Sequence, residues 1–318
     1  VLLVSVVCLT LAIGVVGCSD DDDDNGVAPT PDYAKVRVQH LYPPAGGVDV
    51  YATPIVTNSR SAQGKAEGLE VLADPIKVFE NIDYLESSAF ANVSPGEYQI
   101  DVTLTGEPID QAVLTIPSLE FTKDINYTAV AWDDGQGIAA LALVDDVTNP
   151  GANTIRVRAI HVANAIGQVD IWNVTDPNNP IPIWVDLDTG AAGEYFEVPN
   201  EAATLGFDVD NDQLVDAFFE VPALNEGLIL NAFASLDGNG NLFLHAQFQD
   251  GSTVSIPPAE TSLRLVHGSP TAGDVDIWAN AAVKLADTFQ FTDGLPPATV
   301  ASGTYDIQVT AVGGDPQN

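Results

Sequence analysis

Methionine is absent from this chain of 318 residues, cysteine occurs twice, histidine four times, and lysine and arginine together only ten times. Each shortage excludes something. Cys8 and Cys18 both lie at the start of the chain, so everything after them lacks a disulfide framework, a cysteine zinc site and a thiol nucleophile. Ten bases against 45 acids give a formal net charge of −35, a field that repels a phosphate backbone and excludes nucleic acid as a partner. No Gly-x-Ser-x-Gly elbow, paired-histidine motif or phosphate-binding loop occurs, which removes the commonest signatures of hydrolases and nucleotide enzymes. The apolar run VLLVSVVCLTLAIGVVG at 1–17 falls short of the roughly 20 residues that span a bilayer.

That run instead reads as an export signal. It carries no charge and gives way at Cys18 to Ser19 and five aspartates, an abrupt apolar-to-acidic switch of the kind found at a processing point. The missing Met and the missing basic segment ahead of it are read as an incomplete signal at residues 1–17. Val15-Val16-Gly17-Cys18 resembles a relaxed bacterial lipobox, so Cys18 is the expected lipid attachment. Residues 18–33 are then an acidic tether, because a like-charged run cannot collapse. Ser19, rather than Asp, after the acylated Cys is compatible with outer-membrane sorting. The membrane, through this anchor, is one expected partner, and the expected location is the cell envelope.

Internal repetition decides the architecture. VRVQH at 36–40, RVRAIH at 156–161 and LRLVH at 263–267 each place an Arg three residues before a His, and an Asp follows nine residues after it in VDVY, VDIW and VDIW. The repeated set is Arg37, His40 and Asp49; Arg158, His161 and Asp170; Arg264, His267 and Asp276. Later landmarks agree: GEYQIDVTLTG at 96–106 matches GTYDIQVTAVG at 303–313, and LGFDV at 205–209 takes that place in the middle copy. Val, Ile and Thr in short runs separated by Gly, Pro and Asp-Gly turns point to strands. The expected fold is all-β: tandem immunoglobulin-like β-sandwich domains in three repeats, at 34–148, 154–256 and 261–318, the last truncated. The joins TNPGAN and GSTVSIPPAE read as short linkers between beads on a string.

RLVHGSPTAGDVDIW at 264–278, with RVQHLYPPAGGVDVY and RAIHVANAIGQVDIW, resembles the bacterial and archaeal domain of unknown function 4397, often found in tandem in exported lipoproteins. The resemblance implies a β-rich extracytoplasmic module without an assigned activity. It brings no catalytic residue with it.

In each opening strand the His shares parity with the apolar residues, so it faces the core and needs a partner there. The Asp nine residues on is the candidate, the pair serving as a structural staple across the loop. One His and one Asp per copy are too few ligands for a metal, and no metal, cofactor or catalytic residue is expected. Tyr51, Trp172 and Trp278 share a face with the Asp and are candidates for stacking on a ligand. DVDNDQLVDAFFE at 208–220 places Asp at positions 1, 3, 5 and 9 of a calcium-loop template but lacks its Gly at position 6 and has its acidic end, Glu220, one place late, and is read as a polar turn. The expected function is a non-enzymatic, lipid-anchored envelope protein that binds an envelope polysaccharide or protein, or acts as a spacer. An envelope hydrolase or metal-dependent enzyme using the His/Asp motif is the alternative.

Overall fold

Alternating apolar residues in runs of four to eight, stopped by turn-forming residues, can satisfy their backbone only by pairing as strands. The computed structural model describes residues 32–58 and 69–317, whose regular structure is all strand apart from one 3₁₀ turn at Ile109–Gln111. The signal, Cys18 and the tether up to Pro31 lie outside the described residues.

The first unit contains β1 (Ala34–Leu41), β2 (Val48–Asn58), β3 (Leu69–Leu72), β4 (Ile76–Ile82), β5 (Ala91–Val93), β6 (Gly96–Leu104), β7 (Leu114–Phe121), β8 (Asn126–Asp133) and β9 (Ile138–Asp145). One sheet runs β5-β1-β8-β9 and the other β3-β2-β6-β7, with β4 also on β2. Val36 and Val38 from one sheet meet Val48, Val50, Ile100 and Val102 from the other in a single core. Every pairing is antiparallel except β1 with β8, which is parallel.

The second unit repeats this plan. It contains β10 (Thr154–His161), β11 (Val169–Asn173), β12 (Ile181–Leu187), β13 (Ala191–Ala192), β14 (Phe196–Pro199), β15 (Ala203–Asp208), β16 (Ala217–Val221), β17 (Ile229–Leu236), β18 (Leu242–Phe248) and β19 (Thr253–Ile256). Its sheets run β13-β10-β17-β18-β19, with β14 also on β10, and β12-β11-β15-β16. Again the opening strand β10 pairs in parallel with β17. Residues 253–256 of the expected linker are thus an edge strand. The third unit has β20 (Glu260–Leu263), β21 (Val275–Ala279), β22 (Val283–Phe289), β23 (Ala298–Ala301) and β24 (Ile307–Ala311), in sheets β20-β23 and β22-β21-β24. The chain is therefore a series of immunoglobulin-like sandwiches.

Short linkers suggest separate beads, but the first two units are joined along a buried face. Leu41, Val130, Trp132 and Leu143 on the outer side of the β5-β1-β8-β9 sheet pack against Ile160, Val162 and Phe233 on the outer side of the β10 sheet. Burying each such side chain contributes about 1.5–3 kcal/mol. The sheets concerned are consequently covered on both faces, and the burial of β1 shows no alternation.

Candidate functional site

The strands on either side of each His/Asp loop belong to opposite sheets: β1 and β2, β10 and β11, β20 and β21 never pair. The loop crosses the top of the sandwich, so His and Asp do not meet, and the staple expected between them is absent. Each His instead binds its own loop. His40 Nε2 lies 3.0 Å from the Gly46 carbonyl, His161 Nε2 2.7 Å from that of Gly167, and His267 Nε2 2.8 Å from that of Gly273. All three rings are buried. Burial holds the imidazoles of His40 and His161 below the usual histidine pKa, so the neutral ring donates Nε2–H to the carbonyl.

The three aspartates support a different feature. At Asp49, Asp170 and Asp276 the pairing of the second strand with its neighbour slips by a bulge. Facing each Asp is a residue forced into the left-handed region: Asn81 (φ 52°), Asp186 (φ 53°) or Thr288 (φ 48°). The carboxylate accepts that residue's N–H at 2.8, 2.7 and 2.8 Å respectively, which offsets a conformation that is costly for a residue other than Gly. Asp49 and Asp276 also accept from Lys77 and Lys284, at 2.8 and 2.9 Å, and from the N–H of Gly106 and Gly313. These contacts hold the Asp276 carboxyl well below the carboxylate range, the Thr288 N–H contributing most.

The aromatic two residues beyond each Asp is half-buried on the outer face of its sheet. Lys77 Nζ lies 5.3 Å from the Tyr51 ring centre and Lys284 Nζ 4.6 Å from that of Trp278, so a cation already covers both rings. Trp172 has Pro182 opposite it in the place of the lysine, and its Nε1 is buried without a hydrogen-bond partner.

The arginines do most to organise the molecule. Arg264 is exposed, whereas Arg37 and Arg158 are buried between the first two units. Arg37 Nε donates to Thr128 Oγ1, its Nη1 to the Phe248 carbonyl and its Nη2 to Asp145 Oδ2 at 3.0 Å. Arg158 mirrors this about a local two-fold: Nε donates to Asn231 Oδ1, Nη1 to the Val144 carbonyl and Nη2 to Asp145 Oδ1 at 2.6 Å. Phe90 and Tyr195 cover the two guanidiniums at 4.6 Å. A single carboxylate therefore bridges two cations across the interface. Alongside it, Gln39 Nε2 donates to His245 Nε2 at 3.1 Å, and His245 Nδ1 donates to Ser255 Oγ at 2.9 Å. Burial lowers the His245 pKa to about 4.

Asp145 and Asn231 do not stand out in the sequence, and His245 is marked there only as the one histidine outside the repeated register. The available signal was IAALALV at 138–144, a strand apolar on both parities, which implies cover on both faces.

The second sandwich holds an apolar cavity, partly open to solvent, of about 330 Å³, lined by Ile171, Leu205, Phe207, Leu230, Leu244 and Ile256 among others, against about 30 Å³ in the first. Register explains the difference. In the first unit Tyr98 packs on Phe121 and Phe121 on Tyr127, with ring centres 5.5 and 5.3 Å apart. The pairing of β2 with β6 and of β11 with β15 puts Ala203 in the place of Tyr98.

Fold and site together define a multidomain β-sandwich protein whose repeated polar residues bind its own backbone and neighbouring units. The model of the Domain of unknown function (DUF4397) matches residues 61–172 and 261–318, together more than half of the chain. The chain belongs to that family. No curated protein matches it. Among solved structures it is similar to "The Bacillus anthracis TIE protein", at 11% identity and a TM-score of 0.18, with 88% of this chain and 46% of that chain covered. The chain thus spans less than half the length of that protein.

Proposed function

We propose that this chain is an exported, lipid-anchored, non-enzymatic module of the bacterial cell envelope, in which the first two sandwiches form a stiff arm that holds binding surfaces away from the membrane. One observation carries the reading. The repeated His, Asp and buried Arg residues, the groups best suited to chemistry, are committed to backbone carbonyls, bulge N–H groups and an interdomain ion pair. The alternative, a hydrolase built on the His/Asp motif, requires the two side chains to cooperate. They sit in different sheets and make separate contacts. The uncharged run before Cys18 and the five aspartates after it support anchoring at the outer membrane, with an envelope polysaccharide or protein as partner. The apolar cavity of the second unit, partly open to solvent, supports binding in addition to spacing.

Intact mass of the mature chain, recovered from membranes of an expressing bacterium, tests the anchor. The expected mass begins at an acylated Cys18, and a chain cleaved there without acylation refutes it. A hydrolase screen tests the rest: turnover lost on His40→Ala, His161→Ala and His267→Ala at unchanged melting temperature would overturn the non-enzymatic reading.

A further inference from the structure

The loop between β15 and β16 gathers acidic side chains that the fold leaves uncompensated. Asp208, Asp210 and Asp216 each bring a carboxylate oxygen to within 4.8 Å of the others. Asp208 is 1% exposed; its Oδ2 accepts the Gln213 N–H at 2.8 Å, while its Oδ1 is buried without a partner. A buried carboxylate oxygen left unpaired is expensive. Asp216 Oδ2 accepts the Val209 N–H, and Asp212 Oδ1 the Leu214 N–H.

Comparison of the three units shows what is missing. Opposite Tyr51 and Trp278 stand Lys77 and Lys284; opposite Trp172 stands Pro182. Across from Asp49 and Asp276 stand Thr103 and Thr310; across from Asp170 stands Asp208. The second unit has thus exchanged a lysine for a proline and a threonine for a buried aspartate. No lysine or arginine occurs anywhere from 159 to 263, so no base of that unit's outer sheet can replace the lost charge.

We propose that the β15–β16 loop is a calcium site in which Asp208, Asp210 and Asp216 hold the cation that takes the place of the missing lysine. Oxygens bound to one Ca²⁺ at its usual distances lie no more than about 5 Å apart, which is the spacing present. The three aspartates are positions 1, 3 and 9 of the calcium-loop template. Position 6, where that template requires Gly, is Gln213, and its φ of 69° is the left-handed conformation for which the Gly is needed. Waters complete the coordination, as in other weak extracellular sites. The loop and the start of β16 seat the third unit: the Val215 carbonyl accepts the Thr304 N–H at 3.1 Å, and that of Phe218, in β16, the Ala259 N–H at 2.7 Å. The cation therefore stiffens the junction between the second and third units.

This goes beyond the envelope reading and stands or falls separately from it. The test uses the full chain, stripped with chelator. Trp172 lies diagonally across from Asp208 on the same face of the sheet, so terbium in the loop is expected to luminesce on tryptophan excitation and to be displaced by Ca²⁺. Calorimetric titration should find one Ca²⁺ site with a dissociation constant of about 10⁻⁴–10⁻³ M, together with a calcium-dependent rise in melting temperature. Asp210→Asn and Asp216→Asn should weaken binding at least tenfold (about 1.4 kcal/mol) and abolish the rise, without lowering the melting temperature in chelator. Absence of saturable binding overturns the proposal. So does binding that survives both substitutions, which would place it at another acidic stretch such as residues 20–24.

Discussion

Asp145→Ala is the substitution that bears most directly on how the first two units are joined. Its side chain is 1% exposed and pairs with Arg37 and Arg158, whose side chains are 4% and 7% exposed; it also accepts from Thr128 Oγ1 at 2.5 Å. Removing it leaves two guanidinium groups buried, like-charged and facing each other. Breaking a buried pair by deleting one partner costs about 3–5 kcal/mol. At about 2–4 °C per kcal/mol for domains of 150–250 residues, the melting temperature should fall by roughly 6–20 °C. Urea denaturation followed by tryptophan fluorescence suits the measurement, because Trp132 lies in the interface cluster. The loss should persist at high salt, since buried charges are screened little. The triple replacement Arg37→Met, Asp145→Leu and Arg158→Met should recover the parent's stability or exceed it, because the cost lies in the uncompensated charge. A midpoint for Asp145→Ala within about 0.5 kcal/mol of the parent would refute the reasoning, as would a triple variant no better than the single one.

Three further outcomes are expected. His245 is held neutral in the folded chain with a pKa near 4, below the unfolded value, so protons bind the unfolded state more readily. Stability is then complete above about pH 6.5 and falls as pH drops from there towards 4, by about 3 kcal/mol for this group; in urea midpoints taken across that window, His245→Gln should show a shallower slope, and an unchanged slope would sink the assignment. Ala203→Leu, which extends into the cavity where the first unit has Tyr98, should raise the denaturation midpoint by about 0.5–2 kcal/mol; a loss would mean that the space is closed in solution. A methyl group on Gly193 would overlap the Trp184 ring, so Gly193→Ala should cost about 1–3 kcal/mol, and a thermal midpoint equal to the parent's would contradict that packing.

Much of the fold could be read from residue order, because strand formation depends on alternation and turns, both of which are local. The hairpin of β8 and β9 follows from two apolar runs around DDGQG, and the match between GEYQIDVTLTG and GTYDIQVTAVG corresponds to β6 and β24. The core-facing parity of His40, His161 and His267 follows from the same periodicity. What the loop does with those rings does not. Antiparallel pairing of β1 with β2 and their placement in opposite sheets produce the same alternation, yet only the first would bring His40 to Asp49.

By itself the sequence determined the strand-rich class, the repeated register and the shortage of basic charge, since these rest on composition and on spacings of two to nine residues. The tertiary structure alone decided that the outer faces of two sheets meet, and that Asp145 serves arginines 108 and 13 residues away. It also decided that Asp208 enters a face from which the lysine has gone. Those outcomes depend on which distant strands become neighbours, and burial there turns an ordinary surface charge into one that must find a partner.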